Sequence, residues 1–215
     1  MAIAGKQALN RPAYHIDGMG SLHRSHRCGE IRPSDVGKRV TVMGWVDRTR
    51  DLGNLIFVDL RDREGTVQVV ASAEDGSVLD KAKELRSEDV AAVVGNVIDR
   101  DEETVNEQIP TGTVEVRAEE IRLLSASRTP PFPISEEQGT SEETRLRYRY
   151  LDLRRPRMQA NVRLRHEICL ETRKLMDSQG FLEIETPFLT RSTPEGARDY
   201  LVPSRVHRGL SLIHI

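Results

Sequence analysis

Between Arg39 and Ala71 the chain alternates. Val40, Val42, Gly44 and Val46 fall at every second position, then Ile56, Val58 and Leu60, then Val67, Val69 and Ala71. A period of two puts such residues on one face of an extended chain, and β-branched side chains suit a pleated, half-buried surface. The runs are separated by Asp51-Leu52-Gly53-Asn54 and Arg63-Glu64-Gly65, whose glycines tolerate positive φ. Three strands joined by short turns are therefore expected. With the alternating set inward, Leu55, Phe57, Asp59 and Arg61 point outward on the second strand and Gln68 on the third. An aromatic ring, an amide and an arginine on a wet sheet surface are what stacks and hydrogen-bonds unpaired bases. The competing arrangement buries Phe57 beneath another element, since either face of a short strand can be the packed one.

The next stretch, to about residue 125, completes a domain. Ser77 to Arg86 has Val78, Ala82 and Leu85 on one helical face, with Ser77 and Asp80 spaced as a capping box. Val90 to Ile98 is an apolar run of strand type, Asp99 to Pro110 a polar loop, and Gly112 to Leu124 a fifth strand. In that strand Val114, Val116 and Ala118 face inward, and Glu115 and Arg117 outward. Three strands, a helix and two strands match the all-β five-stranded OB barrel, which binds oligonucleotides across its second and third strands. That match favours an outward Phe57 and Gln68. The barrel is expected over residues 26–125. Residues 1–25, broken by Gly5, Pro12, Gly18 and Gly20, read as a disordered extension, with Met19 a second possible start.

The formal net charge is −2, so no global basic field draws in a nucleic acid and any such partner must be held by local patches. Cys28 and Cys169 lie far apart and in no metal-ligand spacing, which points to a reducing compartment. No apolar run approaches membrane-spanning length, so the expected location is the cytoplasm, with no membrane partner.

Past the barrel, Pro130, Pro131 and Pro133 stiffen a linker, placed at 126–143. A second domain is expected from residue 144. Arg145 to Arg165 holds eight arginines and one acid, Asp152. Such a cluster is either a phosphate-contacting surface or a set of solvated and internally paired charges. Pro156 to Gln179 reads as a helix, with proline in its first turn and Gly180 as its stop. Phe181 to Thr186 reads as a strand halted by Pro187, Thr190 to Asp199 as a polar loop, and Tyr200 to Val206 as the start of another strand.

There is no P-loop, GxGxxG, HExxH or CxxC signature, and no serine sits in a nucleophile elbow. Longer stretches carry a resemblance instead. Cys28-Gly-Glu, Gly44-Trp-Val, Arg50-Asp-Leu-Gly, Leu55-Ile-Phe-Val-Asp-Leu-Arg-Asp, Arg147-Tyr-Arg-Tyr-Leu-Asp-Leu-Arg-Arg-Pro156 and Thr193-Pro-Glu-Gly-Ala-Arg-Asp-Tyr-Leu-Val-Pro-Ser-Arg205 resemble signatures of the bacterial-type aspartyl-tRNA synthetases, a class II family. The likeness runs from about Arg27 to Gly209 and covers the N-terminal part of such an enzyme.

The resemblance implies roles. Residues 27–125 would bind the anticodon of an aspartate tRNA, with Phe57 stacking on a base and Gln68 hydrogen-bonding the central uracil. Arg50, Arg86, Arg100 and Glu115 fall where the family contacts anticodon bases or backbone, and a carboxylate at Glu115 suits the N1 and N2 hydrogens of guanine. Gly180 to Leu189 and the helix before it resemble motif 1, which builds the family's homodimer interface around the proline, here Pro187. Thr190 to Asp199 resembles the loop that closes over aspartate, with Glu195 receiving the substrate's ammonium group. The second domain, 144–209, would be the start of an α+β class II catalytic domain. Residues 210–215 do not fit the family and read as a non-native tail. Full-length members use ATP and Mg2+ to make an aspartyl-adenylate, but motifs 2 and 3, which hold that chemistry, fall outside the matching stretch, so this chain alone is expected to be inactive. Leu52 resembles enzymes restricted to aspartate tRNA. The alternatives are an asparaginyl- or lysyl-type class II synthetase, against which Thr193 to Arg198 argues, and a stand-alone OB-fold nucleic-acid-binding protein.

Overall fold

The structure is a computed structural model that describes residues 15–74, 76–135, 139–187, 189–191, 200–203, 205–206 and 211–214. The alternating stretch forms β1 (Arg39–Asp51), β2 (Leu55–Arg61) and β3 (Thr66–Ser72), followed by α1 (Gly76–Glu84), β4 (Val90–Asp99) and β5 (Val114–Ser125). The five strands close into a barrel in the order β1-β2-β3-β5-β4. β1 achieves this by changing partner along its length. Residues 39–45 pair with β4 and residues 45–51 with β2, with a break in register between Val46 and Arg48. A bulge bends a strand and sharpens its twist, which lets one strand serve two neighbours. Closure comes from a short parallel pairing of β3 with β5.

The inward set is buried as expected: Val42, Val58, Leu60, Val67, Val69 and Val116 are inaccessible to solvent. Val78, Leu79, Ala82 and Leu85 from α1 and its C-terminal turn join the same core. Gly53 and Gly65 take φ of 83° and 144°, the conformations that their turns require.

The chain before β1 departs from expectation. Residues 1–14 lie outside the described residues, but the extension read as disordered is ordered against the barrel from residue 15. Asp17 makes two bonds to the backbone of Leu123: its N–H donates to the Leu123 carbonyl (2.8 Å) and its Oδ2 accepts the Leu123 N–H (2.8 Å). Lys81 lies 2.9 Å from the same carboxylate. Short-range periodicity carries no trace of these contacts, because both partners are distant in sequence.

The linker also packs more than its prolines imply. Phe132 and Ile134 are buried with Leu151 in a small second cluster, against Tyr148. The short helices α2 (Glu142–Arg147) and α3 (Arg149–Asp152) follow. Much of the arginine cluster is turned inward: Arg145, Arg149 and Arg155 converge on fully buried Asp152, and Arg154 lies 2.5 Å from buried Glu88. For these four side chains, internal pairing is the arrangement adopted.

Residues 160–215 form a separate unit. The helix α4 (Pro156–Ser178) matches expectation and buries no residue; Val162, Ile168 and Leu175 are half exposed. Phe181 to Thr186 is not a strand but exposed chain without regular structure, and Pro187 is exposed with it. A strand needs a neighbouring strand to pair with, and among the described residues none pairs with this stretch; the Phe181 N–H donates instead to the Met176 carbonyl at the end of α4 (3.1 Å). β6 (Leu189–Arg191), β7 (Tyr200–Pro203) and β8 (Ser211–His214) form a small sheet in the order β6-β8-β7. Its middle strand comes from the stretch read as a tail.

Candidate nucleic-acid interface

The outward faces of β1, β2 and β3 meet the loop after β4 in a cleft of about 630 Å³. Register assembles it. Arg50 on β1 lies directly opposite Phe57 on β2, and Asp59 on β2 directly opposite Gln68 on β3. Arg100, Asn106 and Ile109 close the far side. Gly112 lets the loop fold back: the Asn106 N–H donates to its carbonyl (3.0 Å), and a Cβ there would stand 1.7 Å from the Asn106 oxygen.

The side chains expected to touch bases, Arg86 apart, form one connected row. The Arg50 guanidinium carbon sits 5.6 Å from the centre of the Phe57 ring. Arg50 Nη2 donates to Gln68 Oε1 (2.7 Å), and Gln68 Nε2 donates to Glu115 Oε2 (2.7 Å). Arg100 Nε lies 3.8 Å from that same Glu115 oxygen and donates to the Val114 carbonyl (3.1 Å). Gln68 therefore points to the outward face as expected, but its neighbours cover it to 6% exposure, so the amide is not the open, water-bathed group that the alternation alone implies. Phe57 is half-buried on the same face and stands outside the barrel core.

Charge in this cleft is held partly out of water. Burial raises the Glu115 carboxyl above the usual glutamate range, against the opposing pull of the Gln68 N–H and Arg100. Burial likewise raises Asp59 despite Arg50, and lowers Arg100 despite Glu115 and Asp59. Partly buried, mutually facing charges next to an aromatic surface favour a ligand that brings its own hydrogen-bonding edge and π-face.

Arg86 is not part of this row. It is exposed on the turn after α1, and its backbone N–H donates to Asp89 Oδ2 (2.9 Å). Glu195 lies outside the described residues. Asp59 was legible as an outward residue but had no assigned role; its parity with Phe57 was the available signal. Asn106 and Ile109 carried no signal, because the loop read only as polar.

Two families of known proteins match. The family "OB-fold nucleic acid binding domain" matches residues 40–124, and the family "tRNA synthetases class II (D, K and N)" matches residues 141–213. In that order they are the barrel and the stretch after it, so the chain belongs to the class II tRNA synthetases. Within the class its relatives are aspartate–tRNA ligases. The chain is 55% identical over 193 residues to the aspartate–tRNA ligase of Ruminiclostridium cellulolyticum, covering 90% of this chain and 32% of that protein. It is 57% identical over 194 residues to the aspartate–tRNA(Asp/Asn) ligase of Moorella thermoacetica, with the same coverage. Among solved structures, the asparaginyl-tRNA synthetase of Pyrococcus horikoshii with asparaginyl-adenylate superposes with a TM-score of 0.75 at 27% identity, over 90% of this chain and 42% of that one. The chain thus spans about a third of the length of the curated relatives it matches.

Proposed function

We propose that the barrel reads the anticodon of an aspartate-accepting tRNA, as part of an enzyme that joins L-aspartate to that tRNA through an aspartyl-adenylate. The observation that carries this reading is the row Phe57, Arg50, Gln68, Glu115 and Arg100 along one cleft. A ring offers a stacking surface to any base, while an amide held between charges offers a directional hydrogen-bonding edge. Arg50, half exposed beside the ring, supplies positive charge to the backbone of a loop whose bases turn inward.

The other parts of the reading rest on family membership. Glu195 would receive the ammonium group of aspartate, and the segment around Pro187 would meet a second copy in a homodimer. ATP and Mg2+ are the class's cofactors, but among the described residues no group of His, Cys, Asp or Glu is placed to hold a metal ion, so no step through them is assigned to this chain. No described helix is long and apolar enough to cross a membrane; the cytoplasmic setting proposed for the enzyme rests on family membership alone.

The test compares two anticodon stem-loops on the 215-residue chain, one with the GUC anticodon and one with its central uracil changed to cytosine. Tighter binding of the first, with affinity falling steeply as salt rises, is expected. Equal affinity for the two, or for a duplex of the same length, would remove the case for anticodon reading. Aspartate-dependent exchange between pyrophosphate and ATP is expected to be absent from this chain alone.

A further inference from the structure

We propose that Arg50 and Glu115 decide which pyrimidine Gln68 accepts, by fixing the direction in which its amide lies. The proposal rests on the anticodon reading above and gives it a mechanism. A glutamine amide has nearly the same shape in its two orientations, so shape alone does not choose between them. Here the neighbours choose. An arginine only donates, so the end of the amide facing Arg50 must be the oxygen; the 2.7 Å bond from Nη2 to Oε1 is that contact. An ionised carboxylate only accepts, so the end facing Glu115 must be the NH2; the 2.7 Å bond from Nε2 to Oε2 is that contact. One donor-only group and one acceptor-only group, at opposite ends, lock the amide in a single sense. Arg100, 3.8 Å from Glu115, favours the ionised form on which the lock depends.

The two bonds use one lone pair of the oxygen and one hydrogen of the NH2, so one of each remains for a ligand. Uracil offers an N3–H donor beside an O4 acceptor, and an amide in the locked sense can meet both. Cytosine offers an N3 acceptor beside an N4–H donor, the same pair with its polarity reversed. It would be met by the same amide turned over. Turning over is forbidden while Arg50 faces one end and Glu115 the other, because it would set N–H against guanidinium and oxygen against carboxylate. Arg50 and Glu115 are thus positioning residues whose charge polarity is transmitted to a base that neither needs to touch.

The decisive measurement is the ratio of affinities for the uracil and cytosine stem-loops, read by anisotropy of labelled loops on the full chain. Wild type should prefer uracil by about tenfold or more, within the range of one good bidentate base contact. Glu115→Gln replaces an acceptor-only neighbour with one that can also donate. Arg50 alone then holds the amide, so the ratio should fall; in the double variant Arg50→Gln with Glu115→Gln the amide is free to turn, and the ratio should fall to within about twofold. Part of that change should be a gain of affinity for the cytosine loop, which structural damage does not produce. Arg50→Gln should act in the same way from the other end. The exchanged pair, Arg50→Glu with Glu115→Arg, should reverse the preference to cytosine. Both affinities falling in parallel with the ratio preserved, or an exchanged pair that still prefers uracil, would overturn the proposal while leaving anticodon reading intact. No preference in the wild type would instead overturn both. Unfolding of both single variants, seen by circular dichroism, would show that the row carries the barrel rather than the readout, and would also overturn it.

Discussion

In the proposed anticodon reading, Phe57 and Gln68 divide the work of holding a base: the ring supplies area without direction, and the amide supplies direction with little area. Replacing Phe57 by alanine should weaken stem-loop binding by about 1–3 kcal/mol, the usual worth of one base stacked on an aromatic. Circular dichroism should show the fold intact, because Phe57 lies outside the barrel core; an unfolded variant would mean the ring holds the barrel together. Glu115 adds a pH dependence. Burial raises its carboxyl, so it takes up a proton at a higher pH than an ordinary glutamate, in the field of Gln68, Arg100 and Asp101. The neutral carboxyl can donate as well as accept, so the uracil preference should hold above this raised range and fade as pH falls through it. In Glu115→Gln the ratio should stay flat over the same range, which separates this effect from protonation of cytosine. Gly44 illustrates a different constraint. A Cβ there would stand 2.3 Å from the Arg61 carbonyl oxygen, backbone that cannot swing aside. Gly44→Ala should cost about 1–3 kcal/mol of stability by overpacking, measured by urea unfolding.

At the scale of elements, the segment ahead of β1 behaves as a strap. Asp17 ties it to β5 through Leu123 and to α1 through Lys81. Burial alone would raise the Asp17 carboxyl, but Lys81 and the Leu123 N–H outweigh it and hold it below the usual range. A carboxyl lowered in the folded state contributes stability that is present above the ordinary aspartate pKa and is lost as pH falls through the lowered one. Asp17→Asn should therefore destabilise the barrel by about 1 kcal/mol at neutral pH, with the difference from wild type closing in acid. Hydrogen exchange at the Leu123 amide should speed up in the variant, and no change there would show that the strap is not held by this bond.

On the scale of the whole unit up to Gln159, the barrel is tied to the segment C-terminal to it. Arg154 lies 4.0 Å from the centre of the Trp45 ring and reaches Glu88, which also pairs with Arg61 on β2. Glu88 holds a positive φ of 70°, unusual for a glutamate and sustained by these partners and by its N–H bond to the Val46 carbonyl. Asp89 beside it accepts the Ser127 N–H (2.7 Å). Arg154→Ala should cost about 1–3 kcal/mol, the worth of a charged hydrogen bond with a cation–π contact. Trp45 is the chain's one tryptophan, so its fluorescence should shift in the same variant. An unchanged emission and midpoint would mean that the segment after the linker is not anchored on the barrel. By the same reasoning, residues 15–159 should unfold at higher urea than residues 27–125.

The sequence by itself determined the barrel. Alternation at Val40–Val46, Ile56–Leu60 and Val67–Ala71 fixes which side chains must leave water, and turn glycines fix where each strand ends, so the pairing of these strands and the outward parity of Phe57, Asp59 and Gln68 follow from local pattern. The matching stretches from Arg27 onward fixed the family. Only the tertiary structure decided what the charges do. The resemblance set Arg50 and Glu115 at one anticodon site, but nothing in the 65 positions of sequence between them shows that they share a partner; strand register brings each to one end of the same amide. For the arginine cluster the sequence left a phosphate-contacting surface and internal pairing both open; Arg145, Arg149, Arg154 and Arg155 turn inward on Asp152 and Glu88, because an arginine's sequence says only that it is charged, and its partner is chosen by the fold. The strand expected at Phe181–Thr186 is absent for the same kind of reason: propensity proposes a strand, but a hydrogen-bonding neighbour makes one.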